Sequence, residues 1–282
     1  MGKNEINQYP IALTIAGSDS GGGAGIQADI KTFSALGVFA TSAITAVTAQ
    51  NTEGVRGIQA ITPNIVRAQI EAVLDDFDVR AIKIGMLYNA ETVHTVANTL
   101  IPCVSVPIIL DPVMVATSGS KLLEEDAIQT IIDRFFPYTT LVTPNLPEAE
   151  YLSGIKITDT DTLFRAAERL REKGCKSLLI KGGHISSGNE MIDHLFIDTE
   201  KISFASPILE TNNTHGTGCT LSSAIAAYMA LGEPLVEAVR LAKQYIESAL
   251  REGADVRMGK GHGPVNHFFD PVPLRKTPIC HE

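Results

Sequence analysis

The 282-residue chain has no tryptophan, and aromatic residues make up only 6% of it. Its four cysteines, Cys103, Cys175, Cys219 and Cys280, lie far apart with no CxxC pair. That spacing excludes the common zinc patterns and gives no disulfide framework. No apolar run approaches the ~20 residues that span a bilayer. The opening "MGKNEINQYP" is polar and does not read as a secretory signal or a myristoylation site. Basic residues number 23 against 32 acidic ones, giving a net charge of −9, and they form no block. Neither a nucleic-acid nor a membrane partner is therefore expected. What is present, 44% apolar and 20% charged residues, is the balance of an ordinary globular protein, expected in the cytoplasm.

Short β-type runs alternate with helical stretches along most of the chain. "IALTIAG" (11–17) precedes a helix whose apolar positions are Ile26, Ile30, Phe33 and Leu36. "GVFATSAITAVTAQN" reads as a strand that breaks at "NTEG". Thr62-Pro63 then opens a helix carrying Ile65, Ile70 and Val73. "AIKIGML", "VPIILDPVM", "TTLVTPN" and "SLLIKGG" are further strands, separated by "ETVHTVANTL", "LEEDAIQTIIDRFF" and "TDTLFRAAERLREKG" as helices. "MIDHLFID" and "KISFAS" form an antiparallel edge pair, and two helices close the chain. The pattern predicts an α/β fold, a mainly parallel sheet with helices on both faces. It is one domain over 1–282, with 1–10 and 272–282 as loosely ordered tails.

Ligands of such sheets bind beyond the carboxyl ends of the strands. Seven polar or glycine-rich segments stand there: "GSDSGGGAG", "AQNTEG", "IGML", "DPVM", "TPNLPE", "KGGH" and "HGTGC". In the last, Gly216, Thr217, Gly218 and Cys219 start a helix, whose unpaired amides suit an anion. A thiol in that field is expected to have a lowered pKa, making Cys219 a candidate base or nucleophile. The other reading is a small apolar residue packing a helix start. Asn145 and Glu148 offer the oxygen ligands Mg²⁺ prefers, although the same spacing also reads as a plain helix start with an early acid. Asp111 and Lys181 are a carboxylate and a cation at other strand ends. Together these suit phosphoryl transfer, which depends on positioning and charge neutralisation. There is no P-loop, and "GSDSGGGAG" is not a GxGxxG.

These motifs, with "GSDSGGGAGIQADIKTFSALG", "TAQNTEGV", "TPNLPEAE" and "NTHGTGCTLSSAIAA", resemble the hydroxymethylpyrimidine/phosphomethylpyrimidine kinases of thiamin biosynthesis. The resemblance runs from Ile11 to "GHGPVNHF", nearly the whole chain. It implies a ribokinase-like three-layer α/β/α fold and the use of ATP and Mg. The implied reaction phosphorylates 4-amino-5-hydroxymethyl-2-methylpyrimidine, then its monophosphate. Gly17, Asp29, Gln50, Met86 and Val113 would hold the pyrimidine. Asp111, Asn145, Lys181 and Lys243 would serve ATP and its phosphates, with Glu148 and Asn145 at the metal, partly through water. Cys219 would stand where most ribokinase-like enzymes place an aspartate, and His215 is given no chemistry. The resemblance also implies a homodimer. A pyridoxal kinase of the same branch and a non-catalytic heterocycle binder are the alternatives. The loops "VATSGSK" and "ISSGNE" have the glycine and serine content of segments that move.

Overall fold

The computed structural model describes residues 6–103, 105–115, 119, 121–183 and 190–278. Most of the two loops just named, and Cys280, lie outside the described residues. The chain runs through β1 (Asn7–Gln8), β2 (Ile11–Asp19), α1 (Gly25–Ala35), β3 (Phe39–Asn51), β4 (Gly54–Ala60) and α2 (Pro63–Leu74). It continues through β5 (Val79–Ile84), α3 (Ala90–Leu100), β6 (Ile108–Leu110), α4 (Glu125–Phe135), β7 (Leu141–Val142), α5 (Leu146–Ser153) and α6 (Thr160–Glu172). The last elements are β8 (Ser177–Gly183), β9 (Glu190–Ile197), β10 (Glu200–Pro207), α7 (Thr217–Ala230), α8 (Leu235–Arg251) and β11 (Thr277–Pro278).

The main sheet has the order β10-β9-β8-β7-β6-β5-β2-β3-β4. Its strands from β8 to β3 are parallel, and β9, β10 and β4 are antiparallel to their neighbours. The antiparallel pair at β9–β10 matches the expectation. The second one, β3–β4, has no counterpart in the sequence reading: "GVRGIQA" carries two glycines and none of its seven positions is buried, four being partly buried and three exposed.

Side chains alternate across the strands, so each strand feeds two cores. Leu13 and Ile15 of β2, with Ile82 and Ile84 of β5, face the side covered by α2 to α6. Ala12 and Ala81 face the other side, with α1, α7 and α8. The result is the expected three layers. In α2 the buried positions are Val66 and Ile70, whereas Ile65 is 55% exposed. The stripe therefore starts one residue later than its spacing suggested. β1 pairs with β11, and Val272 and Arg275 donate their amides to the carbonyls of Ala35 and Gly37. No helix among the described residues is long and apolar enough to cross a membrane.

The chain enters the sheet at β2, moves to β3 on one side and then crosses to β5 on the other. That reversal opens a crevice at the carboxyl ends of β2 and β5, where such folds bind ligands.

Candidate active site

A cavity of about 160 Å³ occupies this crevice, and all seven segments reach it. β2 and the loop after it contribute Gly17, Ser18, Asp19, Ala24 and Gly25; β3 contributes Thr48 and Gln50. Lys83 and Met86 come from β5 and its following turn, Asp111 and Val113 from the end of β6, and Asn145 and Glu148 from the start of α5. Lys181 belongs to β8, and Thr214 to Cys219 complete the wall.

The start of α7 is built against the glycine loop. Gly216, its N-cap, has φ 78°, and a β-carbon there would lie 1.8 Å from the Gly23 carbonyl oxygen. Gly25 (φ 56°) is equally constrained, since its β-carbon would meet the Gly17 carbonyl oxygen at 2.2 Å. Only glycine lets these two segments approach so closely. Cys219 follows at the third position of α7.

The expected lowered thiol pKa is not found. Burial pushes Cys219 up to about 11, and the charges of Asp29 and Asp111 add to that. Lys83 and the Gly25 amide act in the opposite sense and do not offset it. A thiol 9% exposed loses more from desolvation than a helix terminus returns. Cys219 is therefore a neutral thiol at neutral pH.

The sequence expectation for Asp29 is also corrected. Its carboxylate lines no part of the cavity among the described residues; it is 0% exposed and paired with Lys83, which does line it. Lys83 was overlooked inside the apolar run "AIKIGML", although a lysine in a buried strand must be compensated. Burial disfavours its charge, but Asp29, Cys219 and Asp111 hold its pKa above the ordinary lysine value.

Asp19 is a second residue that sequence reasoning missed. Its Oδ2 lies 2.9 Å from His215 Nε2 and accepts the amides of Gly23 and Ala24. Burial opposes its ionisation, yet the His215 contact and the loop amides bring its pKa below the usual carboxylate value. The two residues are 196 positions apart. His215 in turn lies 3.4 Å from Gln50 Nε2, and Gln50 Oε1 accepts from the Thr48 hydroxyl at 3.1 Å. The pyrimidine candidates Gly17, Gln50, Met86 and Val113 are thus brought together.

Lys181 Nζ lies 2.7 Å from Asp111 Oδ1. Burial raises the Asp111 pKa, but Lys181 and Lys83 outweigh it and keep the carboxylate ionised. Burial likewise disfavours the Lys181 charge, and Asp111 and Glu148 more than restore it. Asn145 and Glu148 form the capping box that starts α5, the helix-start reading of their spacing. Asn145 Oδ1 accepts the Glu148 amide at 2.9 Å, Glu148 Oε2 accepts the Asn145 amide at 2.8 Å, and both side chains line the cavity. Burial, opposed by Lys181 and reinforced by Asp111, lifts Glu148 to about 7.

Lys243 does not reach this cavity. It is held 2.6 Å from Asp193 in a second one of about 340 Å³, walled by Pro207, Ile208, Leu209, Leu221, Ile246 and Leu250 among others. Asn145, Lys181, Thr214, Thr217 and Gly218 line both cavities, so the two meet at the start of α7.

A family model for phosphomethylpyrimidine kinase matches residues 19–266. The chain belongs to the phosphomethylpyrimidine kinase family. It is 49% identical over 259 residues to the hydroxymethylpyrimidine/phosphomethylpyrimidine kinase of Rhizobium meliloti, covering 92% of this chain and 97% of that one. It is 48% identical over 257 residues to the thiamine biosynthesis bifunctional protein ThiED of Geobacter sulfurreducens, spanning 91% of this chain but only about half (52%) of that protein. Among solved structures, phosphomethylpyrimidine kinase from Clostridium difficile superposes with a TM-score of 0.76 at 42% identity, over 85% of this chain and 99% of that one. Bacillus subtilis pyridoxal kinase, in an ADP complex, gives a TM-score of 0.84 at 33% identity, over 92% and 98%. The kinase is therefore a phosphotransferase with the ribokinase-like fold of these neighbours.

Proposed function

We propose that this kinase transfers the γ-phosphoryl group of ATP to the hydroxymethyl of 4-amino-5-hydroxymethyl-2-methylpyrimidine, and then a second phosphoryl group to the monophosphate. The observation that carries the reading is the shared wall: acceptor and donor cavities adjoin at Asn145, Lys181, Thr214, Thr217 and Gly218. The aminopyrimidine lies against Gly17, Met86 and Val113, and the Gln50 amide, which can both donate and accept, pairs with its ring nitrogen and amino group. ATP occupies the second cavity with its base against the apolar wall. Lys181 stands at the junction, and Lys243 at the far side of the donor cavity.

The start of α7, from Gly216 to Cys219, receives the transferring group, because helix-terminal amides stabilise the charge that spreads over its oxygens. Cys219, uncharged at neutral pH, orients the acceptor hydroxyl. A loose transition state demands little of a base, and the hydroxyl proton passes to an oxygen of the incoming phosphoryl group as ADP departs. For Mg²⁺ the donor set fits. Glu148 is a buried carboxylate in the cavity wall, with the Asn145 amide beside it, so the donors offered are few and are oxygens. That suits an ion which keeps several waters and takes substrate phosphates as ligands. Glu148 and Asn145 would hold it, and it would neutralise phosphate charge.

Coupled ADP-release kinetics with the pyrimidine alcohol, its monophosphate and pyridoxal test this reading. Higher kcat/KM for both pyrimidines than for pyridoxal is expected, and the reverse order would overturn it. Pyridoxal is the second acceptor to examine because the pyridoxal kinase of Staphylococcus aureus, solved with AMP-PCP and pyridoxal, shares the fold at TM-score 0.83 and 30% identity, over 96% of this chain and all (100%) of that one. A homodimer belongs to the same proposal, and light scattering of the purified protein tests it.

A further inference from the structure

The buried charge cluster behind Cys219 has no part in the chemistry above. Asp29 Oδ1 accepts the Ser223 hydroxyl at 2.5 Å, and Oδ2 accepts the Thr14 hydroxyl at 2.6 Å. The Lys83 ammonium lies 2.9 Å from both oxygens. All four residues are 0% exposed.

Their places in the fold give the cluster a direction. Thr14 and Lys83 are register partners on β2 and β5, pointing to the same face of the sheet. Asp29 lies four residues beyond Gly25 on α1, and Ser223 four residues beyond Cys219 on α7. One helical turn separates the members of each pair, so they lie on the same helix faces. At the upper level, Gly25 and Cys219 both line the cavity. At the lower level, Ser223 bonds Asp29. α1 and α7 are therefore joined one turn below the cavity, by a bond that Thr14 and Lys83 anchor to the sheet.

We propose that Asp29 and Ser223 are positioning residues that set Cys219 against the acceptor hydroxyl, with Lys83 pairing Asp29 from the sheet side. This rests on the kinase reading above. Apolar packing would hold the helices together without the desolvation cost of a buried ion pair. It would not fix the rotation and height of α7, which directional hydrogen bonds do. α7 needs such a device because, apart from Leu221 and Ile225, its buried side chains are Cys, Ser, Thr and Ala, short groups that interlock weakly.

The test compares Ser223→Ala, Cys219→Ala and the double variant, with the pyrimidine alcohol as acceptor. Ser223→Ala is expected to lower kcat about tenfold while the KM for ATP stays within about twofold, as for an interaction made in the transition state. Because Ser223 acts through Cys219, the double variant is expected to match Cys219→Ala alone. Thr14→Val, which removes the bond on the sheet side, serves as the structural control and should lower kcat less than Ser223→Ala. Unchanged kcat in Ser223→Ala, or losses that multiply in the double variant, would overturn the proposal. Failure of the kinase reading itself would show separately, as wild-type protein that turns over no pyrimidine.

Discussion

The ammonium of Lys83 sits 2.9 Å from both carboxylate oxygens of Asp29, and neither side chain reaches solvent. Breaking such a pair leaves one buried charge without a partner, which costs ~3–5 kcal/mol. Lys83→Met is expected to destabilise the fold by about that amount in urea denaturation. The double variant Lys83→Met/Asp29→Asn removes both charges, with the Asn oxygen accepting from one of the Thr14 and Ser223 hydroxyls and its NH2 donating to the other, and should recover much of the loss. A double variant less stable than Lys83→Met would show that the two side chains are not energetically coupled.

Cys219→Ala should reduce kcat far more than either KM, because the thiol meets the reacting hydroxyl and contributes little to ground-state binding. With its pKa held near 11 by burial, the thiolate fraction rises about tenfold for each pH unit up to that point. Alkylation of Cys219 is therefore expected to be slow at pH 7 and to climb without an inflection until above pH 10. An inflection near neutrality would mean a resting thiolate and restore the sequence-based expectation of a base.

Gln50→Leu should raise the KM for the pyrimidine alcohol by about tenfold or more, the scale of a lost pair of hydrogen bonds in a buried site, and leave that for ATP nearly unchanged. Steady-state kinetics in each substrate check this. Equal damage to both constants would remove Gln50 from the acceptor cavity's chemistry. Glu148→Gln should shift the Mg²⁺ titration of activity to higher concentration, and an unchanged titration would remove Glu148 from the metal site.

His267 gives a pH dependence to stability. Burial, aided by Lys31, lowers its pKa to about 4, and Thr220 Oγ1 lies 3.1 Å from its Nε2. The unfolded chain takes up the proton near pH 6.5, before the folded one does. This contribution is present above pH 6.5 and is lost as pH falls toward 4, on the order of 3 kcal/mol in all. His267→Gln should flatten that part of the profile in urea midpoints measured from pH 7 to 4. The same slope in the variant would exclude His267 as its source.

Much of this was legible in the sequence because it is local. The alternation of strands and helices, the β9–β10 pair and the seven loops at one rim each follow from short-range spacing. The rest depends on residues distant in sequence. Nothing near "IQAD" reveals that Asp29 turns inward to Lys83 and Ser223, 54 and 194 positions away. The same holds for Asp19 and His215. For Cys219, the helix terminus is a local feature and lowers a thiol pKa, whereas burial is a tertiary one, and burial wins.

The central claim is best tested by following the pyrimidine alcohol with excess Mg-ATP by quantitative mass spectrometry, alongside ADP. The account predicts that the monophosphate appears first and is converted to the diphosphate, with two ADP formed per pyrimidine. Unmodified pyrimidine, or a monophosphate that persists while active enzyme and ATP remain, would contradict it.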